Sequence, residues 1–346
     1  MDHKKRLIRN SIILVALILA LCLVIEIAFF AGNLRPKNVA ADSSSVYFRV
    51  EKGMGFTAIA GQLYSEGIIK SKFAFETYAF LSGKSSSFKP GAYYLASSQS
   101  VPEIASALLA GPQAIKAVIT PGMTIKGIDE YLSSLKIINP NSLINFNVNS
   151  IKNKYPILDN APYVSTDKQS LEGFLFPDTY SFFAGSDAGT VVEKMLDNFI
   201  QKTNQLLSND QKNNFDWLIT ASILEKEVVS ENDLRIVAGI IQNRLAKKMP
   251  LQIDATVIYA KCREFINCPS LSQDDFKIDS PYNTYKYAGL PPGPISNPGI
   301  EAIKAALNPQ KTGYMFYLSD PITKKTIFSR TLDEHVQNRR KYLPSN

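Results

Sequence analysis

One apolar segment near the N-terminus limits what this chain can fold into. Residues 11–31, SIILVALILALCLVIEIAFFA, form a run about as long as the helix that spans one bilayer. Its single charge, Glu26, stands near the far end, where a side chain reaches the membrane interface at little cost. The sequence therefore predicts a transmembrane helix over these residues.

The residues before this segment predict its orientation. Four bases precede it, Lys4, Lys5, Arg6 and Arg9, and such residues stay in the cytoplasm. We expect a single-pass protein of the plasma (inner) membrane, with residues 1–10 as a cytoplasmic tail and everything after residue 31 extracytoplasmic (periplasmic). A cleaved signal peptide is the alternative. The run is longer than a typical signal core and lacks a clean small-x-small cleavage site, which favours an uncleaved anchor.

The charge balance narrows the choice of partners. The 346 residues carry a net charge of +7, of which the first ten residues supply +3 and leave a mild excess of +4. Such an excess suits a membrane surface or an anionic polymer of the cell envelope. No basic run with interleaved aromatic residues occurs, so we predict no nucleic-acid partner.

The cysteines and histidines restrict the chemistry further. Cys22 falls in the apolar segment, whereas Cys262 and Cys268 lie outside it with five residues between them. Export favours a disulfide between these two, and two free thiols are the alternative. The only histidines are His3 and His335, so a metal site of several imidazoles is excluded, and we predict neither a metal nor another cofactor. His335 is predicted to lie on a surface helix without a catalytic role.

Residues 32–44 are small and polar and predict a linker. A strand–turn–helix pattern then occurs three times, in VYFRVEKGMGFTAIAGQL, GAYYLASSQSVPEIASAL and AVITPGMTIKGIDEYL. Each copy places an isoleucine and a leucine four residues apart on one helix face. Small βα units of this kind bury an apolar face only by packing on one another. Coincidence of a common helix-start pattern is the alternative, but three copies in one local context favour a repeat.

The C-terminal half is predicted to be mainly helical, and then rich in loops. Helical periodicity covers residues 190–207, 216–228, 232–245 and 300–307, and a hairpin is predicted from 314–318 and 326–329. Between the predicted helices 232–245 and 300–307 lies the segment 278–299, IDSPYNTYKYAGLPPGPISNPG, a long loop rich in tyrosine and proline. Loops of this length are usually functional or disordered, and tyrosine faces suit sugar rings. A rigid structural crossover is the alternative.

Two glutamates stand inside the apolar helical run 217–228 and are candidate acids. Burial makes a carboxylate costly to ionise, so its pKa rises and it can hold a proton near neutral pH, as a general acid must. Glu225 and Glu227 are about 200° apart around the helix, so they point to different sides. Glu227 follows Leu224 and Ile223 by three and four residues, which favours it as the desolvated acid. A surface salt-bridge pair around Lys226 is the alternative.

Several longer stretches resemble a known family, the endolytic murein transglycosylases or YceG-like proteins. They are LEGFLFPDTY (171–180), ITASILEKEV (219–228), AGIIQNRLAKKMPLQIDATVIYA (238–260), YNTYKYAGLPPGPISNPG (282–299) and AALNPQKTGYMFYLSD (305–320). The resemblance runs from about Tyr47 to the C-terminus. It implies an α+β fold: a transmembrane anchor (11–31), a small βα LysM-like module (45–115) and a mixed α+β catalytic domain (116–346).

The resemblance also implies an activity and its acid. The family cleaves the MurNAc-β-1,4-GlcNAc bond within nascent peptidoglycan strands and leaves 1,6-anhydroMurNAc ends, which limits glycan chain length. Its essential acid is the second glutamate of Ala-Ser-Ile-x-Glu-Lys-Glu, here Glu227. Partners implied are peptidoglycan glycan strands, the membrane and cell-wall synthases.

Other residues in the matched stretches are candidate substrate ligands or could orient Glu227. They are Gln252, Asp254 and Thr256 after the glutamate helix, Asn283 and Tyr285 in the tyrosine loop, and Glu172 in LEGFLFPDTY. The alternative for each is a structural polar contact within its loop.

Two other functions compete with this interpretation. One is a membrane-anchored, non-catalytic peptidoglycan-binding or scaffold protein, which would have no reason to keep the acidic motif. The other is a Ser-Lys acyltransferase of the penicillin-binding type, since Ser133-x-x-Lys136, Ser230-x-Asn232 and Lys311-Thr-Gly313 occur in order. Ser133 falls at the end of a predicted helix rather than its start, which disfavours it as a nucleophile.

Overall fold

The computed structural model of the chain describes residues 2–38, 45–85, 87–159, 163–165, 168–207, 214–228, 230–323 and 325–343. Within them it contains eleven α-helices and four two-stranded sheets, so the predicted mixture of helices and strands is confirmed. The chain divides into two compact units, Met1–Ile115 with Phe183–Gly185, and Lys116–Phe182 with Ser186–Asn346.

The first helix, α1 (Asp2–Leu34), contains the predicted membrane segment. Its stretch Ile13–Leu34 has a mean hydropathy of 3.1 and is not buried against the rest of the chain. Among the described residues it is the one helix long and apolar enough to cross a bilayer.

The first unit continues with a strand, two helices and a second strand. Strand β1 (Val46–Val50) pairs antiparallel with β2 (Gly91–Leu95), so that Val46 faces Leu95, and between them come α2 (Phe56–Ser65) and α3 (Lys72–Leu81). Helix α4 (Val101–Ala110) follows, and a capping box of Ser100 and Glu103 begins it. The isoleucine and leucine positions predicted for the first two repeats are buried together in this unit's core.

The third predicted repeat also forms a strand and a helix, but it does not join the first two. Strand β3 (Ala114–Val118) pairs with β6 (Thr179–Phe183) instead, and α5 (Ile125–Ser134) follows it. The prediction of three units packed on one another is therefore wrong for the third. Local sequence specifies the strand–helix pattern, whereas the pairing partner comes from a distant part of the chain.

Helix α7 is the centre of the second unit. The helices here are α6 (Ala188–Thr203), α7 (Asp216–Glu227), α8 (Glu231–Ala246), α9 (Asp254–Cys262), α10 (Ile300–Leu307) and α11 (Leu332–Tyr342). Every residue of α7 from Trp217 to Leu224 is buried, as expected for a helix apolar on all sides, and α7 packs against α8, α9 and α10.

The remaining elements of this unit are short. Strands β4 (Tyr163–Ser165) and β5 (Lys168–Gln169) pair with each other, as do β7 (Phe316–Ser319) and β8 (Thr326–Ser329). The predicted C-terminal hairpin is thereby confirmed. The described part of the chain also forms three 3₁₀ turns, Val148–Ser150, Pro156–Leu158 and Asp275–Lys277.

Candidate active site

Glu227 is the last residue of α7 and lines an open cavity of about 830 Å³. Its side chain is partly exposed to this cavity, but its carboxyl group lies deep enough that burial raises the pKa to about 7. The Tyr317 hydroxyl donates a hydrogen bond of 3.0 Å to Oε2, and a hydrogen bond from the Ala255 backbone also favours the ionised form. The negative charge of Asp254 acts in the opposite direction. The result is a carboxyl that can carry a proton at neutral pH and also lose it.

Asp254 and Tyr285 both line the cavity and are hydrogen-bonded to each other. Asp254 begins α9, and its Oδ1 accepts a hydrogen bond of 2.5 Å from the Tyr285 hydroxyl. The ring of Tyr285 meets that of Phe276 edge to face at 4.7 Å between centroids. The long tyrosine loop therefore contributes an aromatic face and an ordered hydroxyl beside the acid.

Gln252 lines the same cavity on the segment between α8 and α9. Its backbone adopts φ +51°, a left-handed conformation that is uncommon outside glycine, and its N–H donates to the Thr284 carbonyl at 3.1 Å. This contact joins the segment to the tyrosine loop, while the exposed amide side chain remains available to a ligand.

Arg244 also lines the cavity. It is buried, and its Nε donates to the Met315 carbonyl at 2.8 Å while its Nη1 donates to the Leu251 carbonyl at 2.6 Å. The guanidinium lies over the Phe316 ring, 5.0 Å from its centroid. These contacts connect the segment before α9 with strand β7, which carries Tyr317.

Glu225 does not line this cavity. Its Oε2 accepts a hydrogen bond of 2.9 Å from the Gly299 backbone at the start of α10, and burial raises its pKa. The prediction that the two glutamates point to different sides is confirmed. Glu225 joins two helices, and Glu227 faces the cavity.

The structure brings together four of the seven site residues predicted from sequence: Glu227, Gln252, Asp254 and Tyr285. Thr256 and Asn283 are fully buried and do not line the cavity. Thr256 bonds to Thr284 Oγ1 at 2.9 Å, and Asn283 donates to the carbonyls of Phe276 and Ile278 at 2.9 Å each. Both contacts stabilise the loop that presents Tyr285.

Glu172 also lies outside the cavity lining, in a buried network of its own. Its carboxylate accepts hydrogen bonds from the Ile125 backbone at 3.1 Å, from the Tyr259 hydroxyl at 3.1 Å and from the Asn297 amide at 3.0 Å. Burial nevertheless raises its pKa to about 8. This network joins the start of α5 to α9 and to the end of the tyrosine loop.

Sequence reasoning missed several residues of the cavity, including Tyr317, Arg244, Gln273, Phe276 and Arg339. Tyr317 and Arg244 stand in two of the matched stretches, which is the only sequence signal for them. His335 was predicted to be a surface residue without a role, yet it lines the cavity and stacks on Phe316 at 5.2 Å between centroids.

Two other predictions concern cysteine and serine. Cys262 and Cys268 form a disulfide with a Cα separation of 5.8 Å, which confirms the predicted disulfide over two free thiols. The rival acyltransferase motif finds no support, because Ser133, Ser230 and Lys311 do not line the cavity, and Ser133 instead lies 3.4 Å from Asp129 Oδ1.

The described residues combine an N-terminal apolar helix with an open cavity lined by Glu227, an acid whose pKa is raised. The YceG-like family model matches residues 48–341. The endolytic murein transglycosylase of Bacillus subtilis (strain 168) is 34% identical over 93% of this chain and 92% of its own length. That of Streptococcus pneumoniae serotype 2 (strain D39) is 28% identical, over 84% of this chain and 57% of its own. A YceG-like protein from Listeria monocytogenes, solved at 2.6 Å, matches with a TM-score of 0.57 and 30% identity over 86% of this chain and 99% of its own. The chain belongs to the YceG-like family.

Proposed function

We propose that this protein is an endolytic peptidoglycan lytic transglycosylase, a carbon–oxygen lyase that cleaves the MurNAc-β-1,4-GlcNAc bond within glycan strands. The relatives that match most of its length bear the name endolytic murein transglycosylase. The observation that carries the proposal is the Glu227 carboxyl, which lines an open cavity with a pKa raised to about 7.

Glu227 acts first as the acid and then as the base. Its carboxyl proton passes to the glycosidic oxygen as the bond to C1 of muramic acid breaks, with the bonding electrons left on that oxygen. The 6-hydroxyl of the same muramic acid then attacks C1, and its proton returns to the Glu227 carboxylate. The product is a 1,6-anhydro end, and no water is consumed.

One carboxyl of raised pKa is enough for this reaction. Inverting and retaining glycosidases use two carboxyls because water or the enzyme supplies the nucleophile. Here the substrate supplies its own hydroxyl, and an intramolecular attack gains several kcal/mol from proximity. The Tyr317 hydrogen bond stabilises the carboxylate that forms after the first proton transfer.

Gln252, Asp254 and Tyr285 bind the sugar units beside the broken bond. The first two side chains are exposed in the cavity, and all three offer groups that bond to hydroxyl or acetamido groups. Thr256, Asn283 and Glu172 act indirectly, by holding the loop and helix that present these residues.

The other parts of the chain serve to localise this activity. Residues 11–31 anchor the protein in the plasma membrane with residues 1–10 in the cytoplasm, and residues 45–115 form a LysM-like, peptidoglycan-associated module. Residues 116–346 form the catalytic domain. The two-stranded sheet and the two helices between its strands lie in one compact unit, which supports the assignment of residues 45–115 to a small separate module. Cell-wall synthases are the expected partners, since they supply nascent strands.

The test compares the full-length protein in detergent with two variants, in each of which one glutamate is replaced by glutamine. Glu227→Gln removes the acid, whereas Glu231→Gln changes an exposed glutamate at the start of α8. Isolated glycan strands are digested and their ends identified by mass spectrometry. We expect anhydro ends from wild type and Glu231→Gln, and at least a 100-fold loss in Glu227→Gln. Anhydro ends that persist in Glu227→Gln, or reducing ends from wild type, would refute the proposal.

A further inference from the structure

The cavity that holds Glu227 continues to the C-terminal helix, where its character changes. Near the acid it is lined by hydroxyl, amide and carboxylate groups, as described above. Where α11 forms the lining, the side chains are those of Arg339 and His335, together with Leu332 and Leu343. The proposed reaction uses none of these four side chains.

This part of the cavity presents the guanidinium of Arg339 and the imidazole of His335. Arg339 is exposed, and among the described residues it has no carboxylate within 4.0 Å. The buried Nδ1 atom of His335 has no hydrogen-bond partner among the described residues. Burial and the positive fields of Arg339 and Arg244 together lower the His335 pKa, so the two arginines act on one small region. An exposed, unpaired guanidinium in the cavity lining suits an anionic ligand.

Strand β7 connects this basic part of the cavity to the acid. Tyr317 bonds to Glu227 at 3.0 Å, and its neighbour Phe316 stacks on His335 at 5.2 Å between centroids. Phe316 and Tyr317 are adjacent on β7, and both line the cavity. The basic part is therefore close enough to hold a group attached to the sugar that reacts at Glu227.

We propose that Arg339, beside His335, binds a carboxylate carried by the substituent on muramic acid, so that the enzyme prefers strands that bear stem peptides. This inference rests on the proposed function. The substituent is attached through a lactyl group, so either a carboxylate of the stem peptide or the free lactyl carboxylate of a stripped strand could supply the charge. Leu332 and Leu343 favour the stem, because they offer apolar contacts to its alanine methyl groups.

The test uses the full-length protein in detergent and two forms of the same glycan, one with stem peptides and one from which an amidase has removed them. Arg339→Gln removes the proposed contact. Arg340→Gln is the matched control, since Arg340 is the next residue of α11, is exposed and does not line the cavity. The kcat/KM for anhydro-end formation is measured by mass spectrometry for each pair.

We expect Arg339→Gln to lower kcat/KM about tenfold on stem-bearing strands, mainly through KM, because a hydrogen-bonded charge pair with the ligand is lost. Its activity on stripped strands, and that of Arg340→Gln on both, should be unchanged. Arg339→Lys should recover part of the loss. An equal loss on both glycans, a loss only on stripped strands, or no loss would overturn the proposal.

A binding experiment separates this inference from the proposed function. Full-length Glu227→Gln is titrated with a disaccharide–peptide fragment of peptidoglycan, and with the same fragment after its carboxyl groups are amidated. Glu227→Gln should bind the carboxylate form more tightly than the amidated form, and the double variant Glu227→Gln, Arg339→Gln should lose this preference. That result supports the basic subsite even where no cleavage is measured. Equal binding of both forms contradicts it.

Discussion

Replacement of Tyr317 by phenylalanine should move the pH dependence of the reaction in a defined direction. Burial raises the pKa of Glu227, and the Tyr317 hydroxyl, which donates to Glu227 at 3.0 Å, opposes this rise, so that the pKa is about 7 with the hydrogen bond in place. A hydrogen bond to a charged group contributes about 1.5–3 kcal/mol, and one pKa unit corresponds to about 1.36 kcal/mol. Without the hydroxyl, the pKa of Glu227 should rise by about one to two units.

The sign follows from the role of the acid. Glu227 must be protonated to begin the reaction, so kcat/KM falls as the pH rises through its pKa. In Tyr317→Phe this alkaline limb should move from about pH 7 to about pH 8–9. The plateau below it should also fall, since the carboxylate formed during the reaction loses a donor.

The assay is a profile of kcat/KM against pH from about 5 to about 10, with anhydro ends counted by mass spectrometry. Tyr314→Phe is the matched control, because Tyr314 stacks on Phe328 at 5.3 Å and does not line the cavity. Its limb should stay near that of wild type. A Tyr317→Phe limb that stays in place or moves to lower pH would show that Glu227 is not the titrating acid or that this hydrogen bond does not form.

Three further predictions concern other parts of the molecule. Burial raises the Glu172 pKa from its ordinary 4.5 to about 8. The contribution of the Glu172 side chain to the free energy of unfolding is therefore full below pH 4.5 and is lost as the pH rises to 8. The melting temperature of Glu172→Gln should vary less between pH 5 and 8 than that of wild type. Replacement of Cys262 and Cys268 by serine should cost about 2 kcal/mol of stability in denaturant titrations, and reductant should leave that variant unaffected. Removal of residues 1–31 should release the protein into the soluble fraction of lysed cells, whereas the full chain should resist alkaline washing.

The elements predicted best are those whose apolar residues recur along a single helix. Helices α7, α8 and α10 begin and end within about two residues of the predicted bounds, because their buried faces follow the helical period. Helix α3 was missed, since its sequence KFAFETYAFL leaves Phe73 and Phe80 exposed and obscures the period. Helix α9 was missed because it begins after Ile253 without a side-chain cap, directly after a loop.

The cavity was predicted only in part because it forms between distant segments. Gln252, Asp254 and Tyr285 were found because they stand in the stretches that match the family. His335 and Arg339 come from a helix whose sequence is mainly polar and carries no sign of a site. The hairpin of β7 and β8 packs against α11 and brings them to the cavity.

The choice between Glu225 and Glu227 shows where local reasoning stops. The helical rotation places the two carboxyls on different sides, and this depends on nothing outside α7. Apolar neighbours such as Leu224 do not distinguish them, since burial raises the pKa of both. The difference comes from what meets each carboxyl: the backbone of Gly299 closes over Glu225, whereas Tyr317 leaves Glu227 open to the cavity. An acid that exchanges protons with a substrate needs access as well as desolvation, and access is set by segments about 70 to 90 residues further along the chain.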